Sequence, residues 1–111
     1  MKWIRVTRAE NIPLREGRSV QIGDQELAIF NLGEGRYVAV DNACPHRGGP
    51  LCDGIVSGDT VVCPLHGWKI SLESGGVLKP DVCVRVETYP LTLDDGVISV
   101  QIESRKREEA A

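Results

Sequence analysis

The sequence predicts an all-β protein built as an antiparallel sandwich, and three observations carry this prediction. Short runs alternate between apolar and polar residues, which is the spacing of a half-buried strand. Glycine-containing turns separate these runs at short intervals, as in antiparallel β proteins. The one helix signal is a capping box from Thr7 to Glu10, and Pro13 limits that helix to about one turn.

The strands follow in order along the chain from the alternating runs. They are predicted at residues 3–6, 18–22, 26–32, 36–40, 60–62, 69–72, 84–93 and 97–102. The turns around them are predicted at residues 23–24, 33–35, 53–54, 57–59, 74–76 and 94–96. Each of these turns contains glycine, which supports tight hairpins between antiparallel strands.

Length and composition indicate one ordinary globular domain spanning residues 1–111, with 41% apolar and 26% charged residues. The net charge of −3 and the lack of a basic patch argue against nucleic acid as a partner. No apolar run approaches the roughly 20 residues of a membrane span, and the first residues show no signal-peptide pattern. We therefore expect a soluble, cytoplasmic protein without a membrane partner, ending in a charged, solvated tail at residues 103–111.

Two short segments, called here the first and second boxes, carry the candidate chemistry. The first box contains Cys44 and His46, the second contains Cys63 and His66, and these are the only two histidines of the chain. Proline and glycine crowd both boxes, which predicts tight loops. Thiolate and imidazole together bind soft or borderline metals. An iron–sulfur cluster fits this set; a structural zinc site is the alternative, although zinc sites usually group cysteine with cysteine.

The spacing Cys-x-His followed by Cys-x-x-His resembles the Rieske signature at all four ligand positions. In a Rieske centre two cysteines bind one iron and two histidines bind the other. The resemblance implies one [2Fe–2S] cluster per chain, with Cys44 and Cys63 on the inner iron and His46 and His66 on the outer iron, near the surface. It also implies a Rieske-type sandwich, in which a cluster-binding subdomain at about residues 41–81 is inserted into a base formed by about residues 1–40 and 84–102.

Three neighbours of the ligands are further candidate site residues. Gly67 is expected to let backbone amides approach the sulfides of the cluster. Trp68 is expected to pack the two layers together or to shield the cluster from water. Arg47, like Lys69 after the second box, is either a solvated charge or a contact for an electron-transfer partner.

Departures from the respiratory-chain Rieske proteins predict a low reduction potential. Leu65 stands where those proteins carry an extra cysteine, and Trp68 and Ile70 stand where they carry a serine and a tyrosine that donate hydrogen bonds to the cluster. Because fewer such bonds stabilise the reduced cluster less, we expect a midpoint on the order of −150 mV. The remaining cysteines, Cys52 and Cys83, are expected to be free and buried.

The functional prediction is an electron-transfer component rather than an enzyme in its own right, because neither a nucleophile with a spare histidine nor a phosphate-binding loop occurs. The segments at residues 44–51, 53–59 and 63–69 look like those of the small subunit of assimilatory NAD(P)H-dependent nitrite reductase. That resemblance implies a large FAD- and sirohaem-containing partner subunit that reduces nitrite to ammonium. The alternatives are a Rieske ferredoxin serving the reductase and oxygenase of an aromatic-ring dioxygenase, and a redox-silent structural subunit.

Overall fold

The computed structural model describes residues 2–42, 50–64, 67–79 and 85–102, and within these ranges the protein is built from strands and two short 3-10 turns. The strands are β1 (Lys2–Arg8), β2 (Gly17–Ile22), β3 (Gln25–Gly33), β4 (Arg36–Asp41), β5 (Ile55–Ser57), β6 (Thr60–Val62), β7 (Lys69–Ser71), β8 (Val77–Lys79), β9 (Thr88–Tyr89), β10 (Leu91–Asp94) and β11 (Val97–Ile102). All their pairings are antiparallel, which confirms the predicted fold class. In the described ranges no helix is long and apolar enough to cross a membrane.

The strands form three sheets, with orders β1-β11-β10, β2-β3-β4-β9 and β5-β6-β7-β8. The second sheet lies between the other two, because its two faces contribute to two separate cores. Leu27 and Ile29 of β3 pack with residues of β11, whereas Ala28 and Phe30 pack with residues of the third sheet. All four side chains are therefore buried, which explains why β3 is a nearly continuous apolar run rather than an alternating one.

The tight hairpins occur where glycine marked them. The turn between β3 and β4 places Glu34 and Gly35 at φ angles of +56° and +77°, and the turn between β10 and β11 places Asp95 and Gly96 at +55° and +78°. Two successive residues with positive φ match the strand twist in a two-residue hairpin, and they favour glycine in the second position. The predicted turns at residues 33–35 and 94–96 are thus confirmed.

The capping-box prediction at the start of the chain is wrong. Thr7 lies within β1, opposite Ile98, and the 3-10 turn is Ala9–Asn11. The ladder between β1 and β11 continues to Arg8, so the backbone of Thr7 belongs to the sheet and does not begin a helix. Its hydroxyl instead accepts a hydrogen bond from the side-chain amide of Asn11, at 3.1 Å.

The predicted single strand at residues 84–93 is also wrong, because the chain changes sheets at Pro90. The strand β9 pairs with β4, whereas β10 pairs with β11 in a different sheet. Proline has no N–H to donate to a ladder, so it ends one pairing and allows the next to begin. The structure adds two strands that were not predicted, β5 and β8, which are the edges of the third sheet.

Candidate metal centre

The second box is a short turn between β6 and β7, closed at its base by two backbone hydrogen bonds. The Cys63 N–H donates to the Trp68 carbonyl at 2.8 Å, and the Gly67 N–H donates to the Cys63 carbonyl at 3.0 Å. Gly67 has a φ of +74°, a conformation that favours glycine. The turn needs that conformation, and the Gly67 amide makes one of its two closing hydrogen bonds. The expectation that Gly67 lets backbone amides approach the sulfides stays a prediction.

Cys63 lies at the inner edge of this turn, in an apolar environment. Its side chain is 3% exposed, and it belongs to the core between the second and third sheets. Trp68 is half-buried and packs against the same core, as expected for a residue that joins the layers. Pro64 and Gly67 are exposed. The cysteine of the second box therefore faces the core, while the turn around it reaches the surface.

The first box is anchored at its two ends by Asn42 and Cys52, which bracket residues 43–51. The Asn42 side-chain oxygen accepts a hydrogen bond from the Cys52 N–H at 2.8 Å, and the Asn42 N–H donates to the Glu26 carbonyl at 3.0 Å. Asn42 is 6% exposed and is the one buried polar side chain among the described residues. Asn42 was not among the site residues predicted from the sequence. Its position directly before the first box is the one sequence feature that could have indicated this role.

A second anchor holds the end of β4 just before the first box. The Tyr89 hydroxyl donates a hydrogen bond to the Asp41 carboxylate at 2.7 Å and accepts one from the Gln25 side-chain amide at 3.1 Å. The Asp41 N–H also donates to the Glu87 carbonyl at 2.9 Å. The chain thus enters the first box through Asp41, the last residue of β4, and Asn42, which follows it, and the side chains of both make hydrogen bonds.

Cys52 is a free thiol, as predicted, but it is half-buried rather than buried. Burial raises the pKa of the Cys52 thiol, and the carboxylates of Asp53 and Glu26 raise it further, against a hydrogen bond from Asn42 that lowers it. The thiol lies 3.8 Å from a carboxylate oxygen of Asp53, to which it donates. Cys83 lies outside the described residues.

The other predicted ligands also lie outside the described residues: Cys44, His46 and His66, together with Arg47 and Leu65. The residues that are described bring together no group of three or more histidine, cysteine, aspartate or glutamate side chains. What they offer is a buried thiol at the base of a tight turn. This placement suits a thiolate ligand of a soft metal or an iron–sulfur cluster, because the apolar core limits access of water to the sulfur.

Comparison with known proteins agrees with this geometry. A family model described as the Rieske [2Fe-2S] domain matches residues 2–90. The ferredoxin component of a naphthalene 1,2-dioxygenase system from Pseudomonas aeruginosa is 29% identical over 101 residues, covering 91% of this chain and 96% of that protein.

Two solved structures are similar over nearly the whole chain. The Sphingomonas yanoikuyae B1 ferredoxin has a TM-score of 0.83 and 25% identity, covering 92% of this chain and 100% of that one. A candidate NADH-dependent nitrite reductase small subunit from Mycobacterium tuberculosis has a TM-score of 0.82 and 27% identity, covering 92% and 96%.

The chain belongs to the Rieske [2Fe–2S] domain family, since the family model covers most of its length. It is an electron-transfer domain, and its cofactor is a [2Fe–2S] cluster. The family assignment therefore favours an iron–sulfur cluster over the structural zinc site that the sequence left as the alternative. Rieske ferredoxins and nitrite reductase small subunits both occur among its relatives.

Proposed function

We propose that the chain is the small, electron-carrying subunit of a cytoplasmic NAD(P)H nitrite reductase. The observation that supports an electron carrier is the placement of Cys63, whose side chain is 3% exposed in the core while the turn around it is exposed. A redox centre held there is shielded on its inner side and accessible from outside. When bound, the cluster accepts and donates one electron at a time.

The ligands in this proposal are Cys44 and Cys63 on the inner iron and His46 and His66 on the outer iron. Cys63 holds its position through the closed turn of the second box, and Asn42 fixes the ends of the first box. We also propose that residues 41–81 form the cluster-binding subdomain, with residues 1–40 and 84–102 as its base. The third sheet, which lies wholly between residues 55 and 79, supports this division.

The ligand set is tested by replacing His46 and His66 separately with alanine. Each change removes an imidazole from the outer iron, so iron and sulfide content per chain should fall sharply after anaerobic reconstitution. Replacement of Cys52 with serine is the matched control, because Cys52 is a free thiol near the first box and outside the ligand set. Full cluster content in either histidine variant would remove that histidine from the set.

Nitrite reductase is proposed ahead of other Rieske systems because one segment of the chain resembles that family. The Mycobacterium tuberculosis chain is consistent with this choice, at 27% identity, and the ferredoxins match this chain equally well in length and fold. The segment Arg47-Gly-Gly-Pro-Leu51 resembles that of nitrite reductase small subunits, and its last residue, Leu51, is fully buried in the core beside Cys63. In this role the chain relays electrons to a large subunit that holds FAD and sirohaem.

The second candidate is the ferredoxin of an aromatic-ring dioxygenase. The naphthalene dioxygenase ferredoxin of Pseudomonas aeruginosa supports it, because each protein covers more than nine-tenths of the other. In this role the chain receives electrons from a reductase and delivers them to an oxygenase.

Purification of the tagged chain from its source cells, grown with nitrate as the only nitrogen source, separates these candidates. We expect a large subunit with sirohaem absorption to co-purify, and NAD(P)H-driven nitrite reduction by that subunit to depend on the chain. Recovery of an oxygenase instead would favour the second candidate. Visible absorption of the chain itself tests the redox-silent alternative, because a Rieske centre is coloured and an empty site is not.

A further inference from the structure

One face of the third sheet carries a cross-strand row of exposed and half-buried side chains that the electron-transfer role does not explain. Each member is paired with the next across neighbouring strands, and we call this set the outer row: Ile55, Val62, Lys69 and Lys79. The adjacent positions Val56, Val61 and Ile70 are buried, so the outer row faces away from the core.

The outer row places two lysines directly opposite each other. Lys69 on β7 pairs with Lys79 on β8, and both side chains are exposed. Like charges in directly opposite positions destabilise a sheet. Within the described part of the chain the ion pairs are Arg8 with Glu10 and Arg18 with Glu16, so no described carboxylate neutralises either lysine.

Among the described residues, the rest of this face supplies no counter-charge. The next cross-strand row consists of Ser57, Thr60 and Ser71, which are neutral. The arrangement therefore has an electrostatic cost for the isolated chain, although the chain as a whole is negatively charged. A carboxylate-bearing partner placed against the row would remove that cost.

The outer row also has an apolar part, next to the lysines. Ile55 is 72% exposed, and Val62 beside it is half-buried. A single exposed isoleucine is ordinary, but here it continues the same row as the two lysines. The row thus combines an apolar contact with two unneutralised cations, and such cations steer and orient a partner of opposite charge.

The outer row lies at the end of the sheet nearest the second box. Val62 directly precedes Cys63, and Lys69 directly follows Trp68. The hydrogen bond from the Cys63 N–H to the Trp68 carbonyl holds the end of β6 and the start of β7 together. A protein seated on the row would therefore lie beside the turn that contains Cys63, where an electron enters or leaves.

We propose that the outer row is a docking surface for an acidic, partly apolar face of the protein that exchanges electrons with this chain. This inference rests on the proposed function, in which that protein is the large nitrite reductase subunit. Carboxylates of the partner neutralise Lys69 and Lys79, and an apolar side chain covers Ile55. The charge pair guides association, so binding weakens as salt concentration rises.

Two single charge reversals test the proposal, Lys69→Glu and Lys79→Glu, with Arg5→Glu as the control. Arg5 is exposed on β1 in another sheet, and its reversal changes the net charge by the same amount. The Kd for the purified large subunit, measured by calorimetry at low salt, should rise about tenfold or more for each lysine variant and stay within about twofold for the control. High salt should reduce these differences.

The stability of the same variants separates docking from a structural role. Lys69→Glu places a carboxylate opposite Lys79, and Lys79→Glu places one opposite Lys69, so each single variant creates an opposite-charge pair. Their midpoints of thermal unfolding should be unchanged or higher than that of the wild type, although they bind more weakly. If the lysines served only the fold, lower midpoints would accompany any loss of binding.

The apolar contact is tested by Ile55→Thr, which keeps a β-branched side chain in the strand. Leu93→Thr is its control, because Leu93 is 41% exposed on β10 of a different sheet. We expect Ile55→Thr to weaken binding severalfold and Leu93→Thr to leave it unchanged.

Three outcomes decide the matter. Weaker binding by the lysine and Ile55 variants, with both controls unaffected, supports the docking surface. Equal binding by the lysine variants and the Arg5 control overturns it and leaves the proposed function standing. Failure of the wild-type chain to bind the large subunit overturns both proposals.

Discussion

Replacement of Asn42 with alanine tests whether the first box depends on the contact that closes its ends. The Asn42 side-chain oxygen accepts a hydrogen bond from the Cys52 N–H at 2.8 Å, and the asparagine is 6% exposed. Alanine would leave that N–H without its acceptor in a partly buried position. An unpaired buried group of this kind costs about 1–3 kcal/mol, so the free energy of unfolding should fall by that amount.

Asn31→Ala is a matched control. The Asn31 side-chain oxygen accepts a hydrogen bond from the Gly33 N–H at 2.9 Å, and its amide donates to the Ile12 carbonyl at 2.9 Å. These bonds lie at the opposite end of β3 from the part near Asn42. The control should therefore lose a similar free energy of unfolding, about 1–3 kcal/mol, without altering the first box.

Two measurements on both variants complete the test. Denaturant unfolding of the cluster-free chains gives the loss of stability, and iron content after reconstitution under limiting iron gives the loss of cluster binding. We expect Asn42→Ala to lose stability and iron, and Asn31→Ala to lose stability alone. Equal iron content in the two variants would refute the idea that Asn42 positions the first box.

Three further predictions concern other parts of the molecule. In denaturant unfolding, Gly75→Ala should lower the free energy of unfolding by more than about 2 kcal/mol, because Gly75 has a φ of +82° and a Cβ there would overlap the Val86 carbonyl oxygen. Gly58→Ala is the control. Gly58 has a φ of +60° and lies in open space, so its replacement should cost only about 1–2 kcal/mol. Because its pKa is raised, Cys52 should react with iodoacetamide at neutral pH more slowly than an unburied cysteine, as followed by intact mass. Asp53→Asn should speed this reaction. An unchanged rate in that variant would contradict the assigned role of the Asp53 carboxylate. Redox titration should give a midpoint on the order of −150 mV, and a value above about +100 mV would contradict the argument from missing hydrogen bonds.

The features that the sequence predicted well were those encoded locally. Gly35 and Gly96 predicted hairpins, because a two-residue turn between antiparallel strands requires a positive φ at these positions. The spacing of cysteine and histidine in the two boxes indicated a mixed-ligand iron–sulfur centre, and the family assignment agrees with the cluster. In each case, neighbouring residues in the chain carry the whole signal.

The features that the sequence did not predict depend on which strands become neighbours. The run through Pro90 alternates like one strand, but alternation says nothing about whether both halves pair with the same sheet. The strand pattern also gave no reason to connect Asn42 with Cys52. Their contact joins residues that are ten positions apart in the chain, and no local pattern of residues marks such a pairing.

The most direct test of the central claim is the electron paramagnetic resonance spectrum of the reduced, reconstituted protein. Histidine ligation of one iron lowers the average g value below that of an all-cysteine [2Fe–2S] ferredoxin recorded alongside. We expect this lowered average, and we expect Cys63→Ser to abolish or shift the signal, whereas Cys52→Ser leaves it unchanged. An all-cysteine spectrum, or a colourless and iron-free protein, would contradict the assignment of two cysteines and two histidines to one cluster.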